Sequence, residues 1–293
     1  MKLFKKYNLP ADADFVNIEL TTDNKIWIDP IMMYMDKSDM SIKCCTIVQQ
    51  YFKKLLEFAV NKDYKNGYLY TNDFREINET RLGYSVSRPN GLSGGEHLGN
   101  EMFNLIKNSE AVETGLIGDI FDAGVMIEKL GIDKMSDFIT SLIFEELVLY
   151  TQNQCLKYNI PTINVKLNRK YWSYIDQKWI DSQNIDLPFD DESNMAIVFV
   201  PKKFCENKLV YSYKRFYSKS MIPFLGQEAV NNHMIGLIRI LKDNTIKPLY
   251  KEIRKQNPCT RERVNQFINT HNDVYKEYKK SQLTYINYKN YKE

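Results

Sequence analysis

The charge of this 293-residue chain changes sign along its length. From Lys202 onward there are 19 Lys and Arg residues against 8 Asp and Glu, a net charge of +11, whereas residues 1–201 carry a net charge of −8. A basic region beside an acidic one favours binding to an acidic partner or to further copies of the chain; a solvated, lysine-rich surface is the alternative. We predict an α+β fold, with a mixed α/β domain over residues 1–201 and a basic, mainly helical region over 202–293.

The first sixty residues contain one strand pattern and one helix pattern. "FVNIEL" and "KIWIDP" alternate apolar and polar residues on either side of the turn-forming "TTDN", which predicts a β-hairpin over residues 15–29. The stretch "DMSIKCCTIVQQYFKKLLEFAVNKD" after it has apolar residues at helical spacing, and Ser41 is a suitable N-cap. A helix is therefore predicted from about residue 42 to residue 61.

Glycine marks the middle of the chain, because ten of the 12 glycines lie between Gly67 and Gly131. This concentration predicts a Gly-rich central region with unusual backbone turns. After it, "MSDFITSLIFEELVLYTQNQCLKYN" predicts a long amphipathic helix capped by Ser136. The predicted buried face of that helix comprises Phe138, Leu142, Leu149 and Leu156.

Strands and then further helices are predicted for the rest of the chain. "NIPTINVKL" is typical of a strand, and the β-branched "NMAIVFVP" is typical of a buried one. In the basic region, Thr260 follows Pro258 and is a suitable N-cap. The predicted helices of this region lie near residues 215–242, 248–256, 260–270 and 272–283.

The stretch "RLGYSVSRPNGLSGGEHLGNEMF", residues 81–103, has the glycine and serine content of a phosphate-binding loop. A Walker A loop requires Lys-Ser or Lys-Thr directly after its last glycine, and a dinucleotide-binding loop requires a hydrophobic strand directly before its first. This stretch has neither feature. We therefore predict a structured loop that leads into a helix, and no bound cofactor.

Carboxylates provide the one enzymatic hypothesis. Asp119 and Asp122 in "GDIFDAG" are spaced to share a helix face, and Glu145 lies on the predicted long helix. Oxygen ligands of this kind suit Mg²⁺, so a metal-dependent nuclease or phosphodiesterase that uses these three residues is one alternative. Capping and surface roles are common for such residues, and we predict no metal site. His97 has no recognisable nucleophilic partner in the sequence.

The C-terminal tail alternates lysine with tyrosine. Three roles suit this pattern: stacking and phosphate contact with nucleic acid, contact with a protein partner, and docking of the last helix onto its own domain through Tyr275 and Tyr278. We favour a protein partner over nucleic acid. The predicted partner-binding residues are Lys276, Tyr278, Lys279, Lys280, Tyr285 and Tyr288.

Other features predict a protein of the cytoplasm. No stretch reaches the length of a membrane span, and the basic N-terminus has no apolar core of a signal peptide. The five cysteines are odd in number and contain no Cys-x-x-Cys pair, which favours reduced thiols.

Three segments together carry a resemblance to known proteins. They are "NETRLGYS" at 78–85, "TGLIGDIFDAGVMIEKLGIDKMSDFIT" at 114–140 and "YTQNQCLKYNIP" at 150–161. In this order they resemble a family of bacterial and phage proteins, and with the size and basic end of the chain they are similar to phage-encoded Gabija anti-defence proteins.

That resemblance implies a non-enzymatic inhibitor that associates with its own copies and binds around the host Gabija nuclease–helicase complex, blocking its access to DNA. It implies no catalytic residues, and it assigns no interface residues. The alternatives that the residues leave open are the metal-dependent enzyme and a nucleic-acid-binding protein of a defence system.

Overall fold

The computed structural model describes residues 1–83, 98–167, 169–206 and 212–290, with side chains as far as Gln282. Helices within these ranges are α1 (Leu3–Lys6), α2 (Pro30–Met35), α3 (Asp39–Val60), α4 (Tyr64–Thr71), α5 (Leu98–Lys107), α6 (Glu110–Glu113), α7 (Ile120–Met126), α8 (Ile132–Leu142), α9 (Phe144–Tyr158), α10 (Tyr213–Phe216), α11 (Ile222–Asn231), α12 (Tyr250–Gln256), α13 (Arg261–Thr270) and α14 (Asn272–Asn290). Strands are β1 (Trp27–Ile28), β2 (Ile163–Lys166), β3 (Lys170–Ser173), β4 (Lys178–Asp181), β5 (Asn184–Leu187), β6 (Phe189–Asp190), β7 (Met195–Ala196), β8 (Cys205–Glu206), β9 (Ile238–Ile240) and β10 (Ile246–Pro248).

The predicted α+β class is confirmed, since helices dominate and the strands form separate antiparallel pairs. The pairs are β1 with β8, β2 with β5, β3 with β4, β6 with β7, and β9 with β10. Because each pair has only two strands, none of them has a sheet face of its own to build a core. The helices therefore supply the main scaffold.

The hairpin predicted over residues 15–29 is wrong, because its two halves pair with a later segment of the chain. Phe15 forms an antiparallel bridge with Pro201, and the Val16 amide donates to the Val200 carbonyl at 3.0 Å. Trp27 of β1 lies opposite Glu206 of β8. The predicted strand in "NMAIVFVP" is confirmed only at Met195–Ala196, and the buried residues after it receive the N-terminal segment.

Helix α3 confirms the helix predicted over 42–61, with its start moved. The Ser38 hydroxyl accepts a hydrogen bond from the Ser41 amide at 3.2 Å and caps the helix. Ser41 itself is buried and donates to the Met33 carbonyl. The buried side of α3 presents Tyr51, whose ring stacks on Tyr70 at 4.3 Å and meets Trp172 edge-on at 4.7 Å. These ring contacts join α3 to α4 and β3.

The long helix predicted from Ser136 is two helices, α8 and α9, which meet at Ile143. The N-cap position of α8 is Gly131, and the buried Ser136 hydroxyl instead accepts a hydrogen bond from the Ile28 amide at 3.0 Å. Because of the break, α9 does not continue the buried face of α8. Leu149 and Leu156 are 47% and 78% exposed, so their predicted burial is wrong.

The predicted helix over 215–242 is wrong after Asn231, where α11 ends. His233 and Gly236 both have positive φ, 49° and 85°, and the chain then forms the β9–β10 hairpin. Helices α12, α13 and α14 confirm the three remaining helix predictions. The Thr260 cap is confirmed as well, since its hydroxyl accepts from the Arg263 amide.

The C-terminal helices share their core with the rest of the chain. Phe216, Phe267 and Tyr275 belong to the same hydrophobic cluster as Tyr51 and Phe138. A smaller cluster beside it joins α1 to the segment before β8. The net charge of the chain therefore changes sign near residue 201, while the hydrophobic core continues across this position.

The "NETRLGYS" segment has a structural role where it is described. The buried Glu79 carboxylate accepts from the Arg169 guanidinium at 2.8 Å, and the Arg81 guanidinium donates to the Ser193 hydroxyl at 2.5 Å. Ser193 in turn donates to Asp190, which also forms a 2.6 Å ion pair with Lys6. These buried polar pairs join the segment to the strands and to α1. Residues 84–97 of the predicted loop, including His97, lie outside the described residues.

Candidate functional site

The two aspartates singled out from the sequence form the N-terminus of α7. The Asp119 carboxylate accepts from the amides of Phe121 and Asp122 at 3.0 and 3.1 Å. The Asp122 carboxylate accepts from the amides of Gly118 and Asp119 at 2.9 and 3.2 Å. This reciprocal arrangement is a capping box, which satisfies amides that a helix N-terminus leaves unpaired.

Helix α14 closes over this capping box. The Lys279 ammonium lies 2.6 Å from an oxygen of Asp119 and 2.7 Å from an oxygen of Asp122. The Tyr275 hydroxyl donates to the same Asp122 oxygen at 2.8 Å. We call these four residues, Asp119, Asp122, Tyr275 and Lys279, the α7–α14 junction.

Burial and the neighbouring charges act in opposite directions on Asp119 and Lys279. Burial and the neighbouring Asp122 charge raise the pKa of Asp119 above its ordinary value, while Lys279 acts in the opposite direction. Burial lowers the pKa of Lys279, but the charges of Asp122 and Asp119 outweigh it, so this pKa lies above its ordinary value. A lysine that gains two carboxylate partners thus holds its proton more tightly.

The junction brings together residues that the sequence assigned to different sites. Asp119 and Asp122 were candidate ligands of the metal-dependent alternative, and Lys279 was a predicted partner-binding residue. In the structure Lys279 forms ion pairs with both aspartates. Glu145, the third predicted catalytic residue, lies on α9 and lines a different cavity. In the described part of the chain, no group of three or more His, Cys, Asp or Glu residues is placed to hold a metal ion.

The tail residues divide between the core and the surface. Tyr278 is 2% exposed, with its ring 5.2 Å from that of Phe216, so it docks α14 onto its own domain, as does Tyr275. Lys276 and Lys280 lie on the exposed side of α14. The predicted Tyr285 and Tyr288 contacts fall beyond the described side chains.

A groove runs along the exposed side of α9. One cavity of about 330 Å³ is lined by Glu145, Leu149 and Tyr171 among others. A second, of about 630 Å³, is lined by Leu156 and the residues that follow α9. Both cavities are lined by Gln152 and Asp186, so they adjoin one another. We call this surface the α9 groove.

The opposite wall of the α9 groove is the β2–β5 ribbon. Ile185 and Asp186 of β5 line the groove, and the Gln152 amide on α9 donates to the Asp186 carbonyl at 3.3 Å. Apolar side chains from a helix and a ribbon thus flank a concave surface, an arrangement that suits a protein or peptide partner. Sequence periodicity missed this groove because it assigned Leu149 and Leu156 to the core.

A second feature missed by the sequence is an acidic cluster beside the "NETRLGYS" segment. Burial raises the pKa of Asp137 to about 8, and the nearby charges of Asp133, Glu76 and Asp23 contribute. Burial also raises the pKa of Glu76. The Trp27 indole nitrogen donates to Asp133 at 2.9 Å. These carboxylates come from three separate segments: the loop before β1, the loop after α4, and α8. No single local motif therefore predicts the cluster.

Asp137→Asn is expected to stabilise the protein increasingly as the pH rises from 4 to 8. Because the pKa of Asp137 is raised in the folded state, the unfolded chain releases this proton first, and the wild-type protein loses stability across that interval. The asparagine side chain of the variant does not titrate in this range, so the variant avoids that loss of stability. We expect the variant to be more stable than the wild type by at least about 1 kcal/mol at pH 8 and nearly equal to it at pH 4.

Urea denaturation at several pH values measures this difference. The exposed Asp181→Asn provides the matched control and should show little pH-dependent difference from wild type. An Asp137→Asn variant that is less stable than wild type at pH 8 would contradict a raised pKa of Asp137 in the folded protein.

Two general features of the described chain bear on its setting. No described helix combines the length and apolar character needed to cross a bilayer. None of the five cysteines, all of them described, forms a disulfide.

Comparison with known proteins gives one match. A family model described as a domain of unknown function (DUF8370) matches residues 6–212, more than two thirds of the chain. No curated protein and no solved structure matches the chain. The matched range contains α7 and the α9 groove and ends before α10, the β9–β10 hairpin and the C-terminal helices.

Proposed function

This chain belongs to the family described as a domain of unknown function (DUF8370), and we propose that it is a non-enzymatic phage protein that binds and blocks a host anti-phage defence complex. The proposed target is of the Gabija nuclease–helicase type, which is the partner that the sequence resemblance implies. The proposed binding surface is the α9 groove. The proposed setting is the cytoplasm of the host cell.

The observation that carries this proposal is the exposure of Leu149 and Leu156 along the α9 groove. Both lie on the solvent-facing side of α9, seven residues apart, so they form one stripe along two helical turns. Burying a leucine fully contributes about 1.5–3 kcal/mol, which makes two leucines in a concave site effective anchors. The segment "YTQNQCLKYNIP", which carries part of the resemblance, contributes Gln152 and Leu156 to this wall.

The α7–α14 junction supports a role without catalysis. Each junction carboxylate accepts hydrogen bonds from two backbone amides and an ion pair from Lys279. A hard cation at this position would have to displace Lys279 and open the capping box. The junction thus accounts for the Asp119–Asp122 spacing by the needs of the fold.

Self-association is a further part of the proposal. The net charges of −8 and +11 in the two parts of the chain favour contact between the acidic part of one copy and the basic part of another. Such contacts would weaken with added salt, whereas an apolar contact in the α9 groove would not.

Co-expression with a Gabija nuclease–helicase complex tests the proposal. We expect a tagged copy of the chain to co-purify with that complex in fixed stoichiometry at moderate salt, and to restore phage growth on bacteria that carry the system. Leu149→Asp together with Leu156→Asp should weaken the complex at least tenfold, because two carboxylates would be buried without partners.

Val60→Asp together with Leu69→Asp is the matched control, because these two residues are also exposed, at 58% and 62%, and lie on α3 and α4. This control should leave the complex intact. Failure of the wild-type chain to co-purify, with no effect on phage growth, would refute the proposed target.

Glu145→Gln separates the enzymatic alternative from the proposal. Glu145 is only partly buried, so its amide should preserve the fold. An Asp119→Ala, Asp122→Ala variant does not separate the two hypotheses, because it also removes the capping box. Loss of phage growth in the Glu145→Gln variant, with the complex still formed, would favour a catalytic role.

A further inference from the structure

The β9–β10 hairpin carries two cations on one face. Arg239 and Lys247 lie directly opposite each other in its antiparallel register. Residues paired in this way point to the same side of a ribbon, with their Cβ atoms about 5 Å apart. Both side chains are exposed. The hairpin thus presents a pair of adjacent positive charges to solvent.

Backbone hydrogen bonds fix this register. The Leu241 amide donates to the Thr245 carbonyl at 2.9 Å, and the Leu249 amide donates to the Leu237 carbonyl at 2.7 Å. Hydrogen-bonded and non-hydrogen-bonded pairs alternate along an antiparallel ladder, so Arg239 and Lys247 form a hydrogen-bonded pair. Pro248 falls in a non-hydrogen-bonded pair, where its missing N–H costs no ladder bond. A slip of the register that separates the two cations would break these bonds.

The pair is unfavourable for the isolated protein. Like charges directly opposite each other destabilise a two-stranded ribbon. Among the described residues, neither cation forms an ion pair with a carboxylate. An anion bound between Arg239 and Lys247 would remove this repulsion.

Further exposed cations lie next to the hairpin in the chain. Lys242 follows β9, and Lys251 and Lys255 are four residues apart on α12, on the side away from the buried Ile253. Apolar side chains are exposed beside them: Ile235 at 99% and Tyr250 at 44%. Clustered positive charge on one part of the surface is typical of proteins that bind nucleic acid.

We propose that the Arg239–Lys247 face of the hairpin binds the phosphate backbone of duplex DNA, independently of base sequence. Arg239 and Lys247 would contact phosphates, and Lys242, Lys251 and Lys255 would extend the contact. This surface is separate from the α9 groove, so the inference goes beyond the proposed function.

Phosphate accounts for this surface better than an acidic protein does. An acidic partner would bring its own side chains, whose ordering costs free energy for each charge that is paired. Duplex DNA presents a regular line of fixed charges and releases bound counterions when cations replace them. Within the part of the chain that the structure describes, Arg239, Lys242 and Lys247 form no ion pair with a carboxylate, and such a group of cations suits that regular charge array.

Fluorescence anisotropy with a labelled 20-base-pair duplex tests the inference on the full chain. We expect binding that weakens steeply with salt, because each phosphate neutralised adds about 0.9 to the slope of log K against log salt concentration. Arg239→Glu together with Lys247→Glu should reduce affinity at least tenfold and lower that slope by about 2. Circular dichroism would establish that the variant is folded, and Arg239→Gln with Lys247→Gln provides a second, milder variant.

The matched control is Lys53→Glu with Lys65→Glu, exposed lysines on α3 and α4 whose reversal changes the net charge equally. If net charge alone drives binding, both double variants will lose affinity equally, and the inference is wrong. A polyglutamate peptide provides the other decisive comparison. If polyglutamate binds the hairpin face as tightly as the duplex does, the surface recognises acidic protein, and the proposed duplex contact is also overturned.

Discussion

Lys279→Met is expected to lower the free energy of unfolding by about 3 kcal/mol, because it leaves two carboxylates without their cation. Methionine preserves most of the length and the apolar stem of lysine, so the change is mainly one of charge. Asp122 has a side chain only 7% exposed, and it would remain beside the Asp119 charge with no ammonium between them. Urea denaturation at neutral pH, followed by circular dichroism, measures the loss.

A matched control and a compensating variant distinguish the charge effect from loss of helix. Lys276→Met changes an exposed lysine three residues earlier on α14 and should alter stability by no more than about 0.5 kcal/mol. Adding Asp119→Asn and Asp122→Asn to Lys279→Met should recover part of the loss, since amides still cap α7 and carry no charge. Equal losses in the Lys276 and Lys279 variants would show that the ion pairs contribute nothing specific.

The α7–α14 junction illustrates which parts of a site the sequence can predict. The spacing of Asp119 and Asp122 indicates a shared helix face, and a capping box is one ordinary role for such a pair. The partner, Lys279, lies 160 residues further along the chain in a segment with many lysines. Nothing local distinguishes Lys279 from Lys276 or Lys280. Only the packing of α14 against the core determines which lysine meets the carboxylates.

Errors in the predicted fold have the same origin. The start of α13 was predicted correctly from Thr260, because a cap acts within a few residues. Ser41 and Ser136 fit the same N-cap pattern but lie inside α3 and α8, so the local signal alone does not fix where a helix begins. Strand pairing depends on residues far apart, so β1 was assigned to a hairpin although its partner is β8. The apolar pattern also continued through Ile143, where α8 ends and α9 begins. Because one continuous helix was predicted, Leu149 and Leu156 were assigned to its buried face, and the α9 groove was not predicted.

The β9–β10 hairpin was missed for a different reason. Its isoleucines and lysines also fit a helix that continues from α11, and a single glycine at 236 is a weak stop signal. The structure shows positive φ at both His233 and Gly236, and histidine rarely signals such a conformation. The prediction therefore placed Arg239 in a helix that ended at residue 242 and did not pair it with Lys247.

Two glycines of the Gly-rich central region have a packing role that composition alone does not predict. Its concentration of glycine predicted turns, and Gly83 and Gly115 do have positive φ. Gly67 and Gly99 instead lie within α4 and α5, where these helices cross. A Cβ at Gly67 would lie 2.0 Å from the buried ring of Phe103, and a Cβ at Gly99 would lie 1.9 Å from the carbonyl oxygen of Thr71. Each glycine thus provides room for a neighbour on the other helix.

Gly99→Ala is accordingly expected to destabilise the protein by about 2–3 kcal/mol, although alanine is the better helix former. Alanine in a helix gains about 1 kcal/mol over glycine. The steric cost exceeds this gain, because the Thr71 carbonyl belongs to the backbone of α4 and cannot rotate away, so the two helices must separate. Thermal and urea denaturation measure the net effect. Gly131→Ala is the control, since an added Cβ there meets no atom within 4 Å, and it should cost less than about 1 kcal/mol. If Gly99→Ala proved stabilising, the helix propensity would outweigh the contact, and α4 and α5 would have to pack less closely than the structure shows.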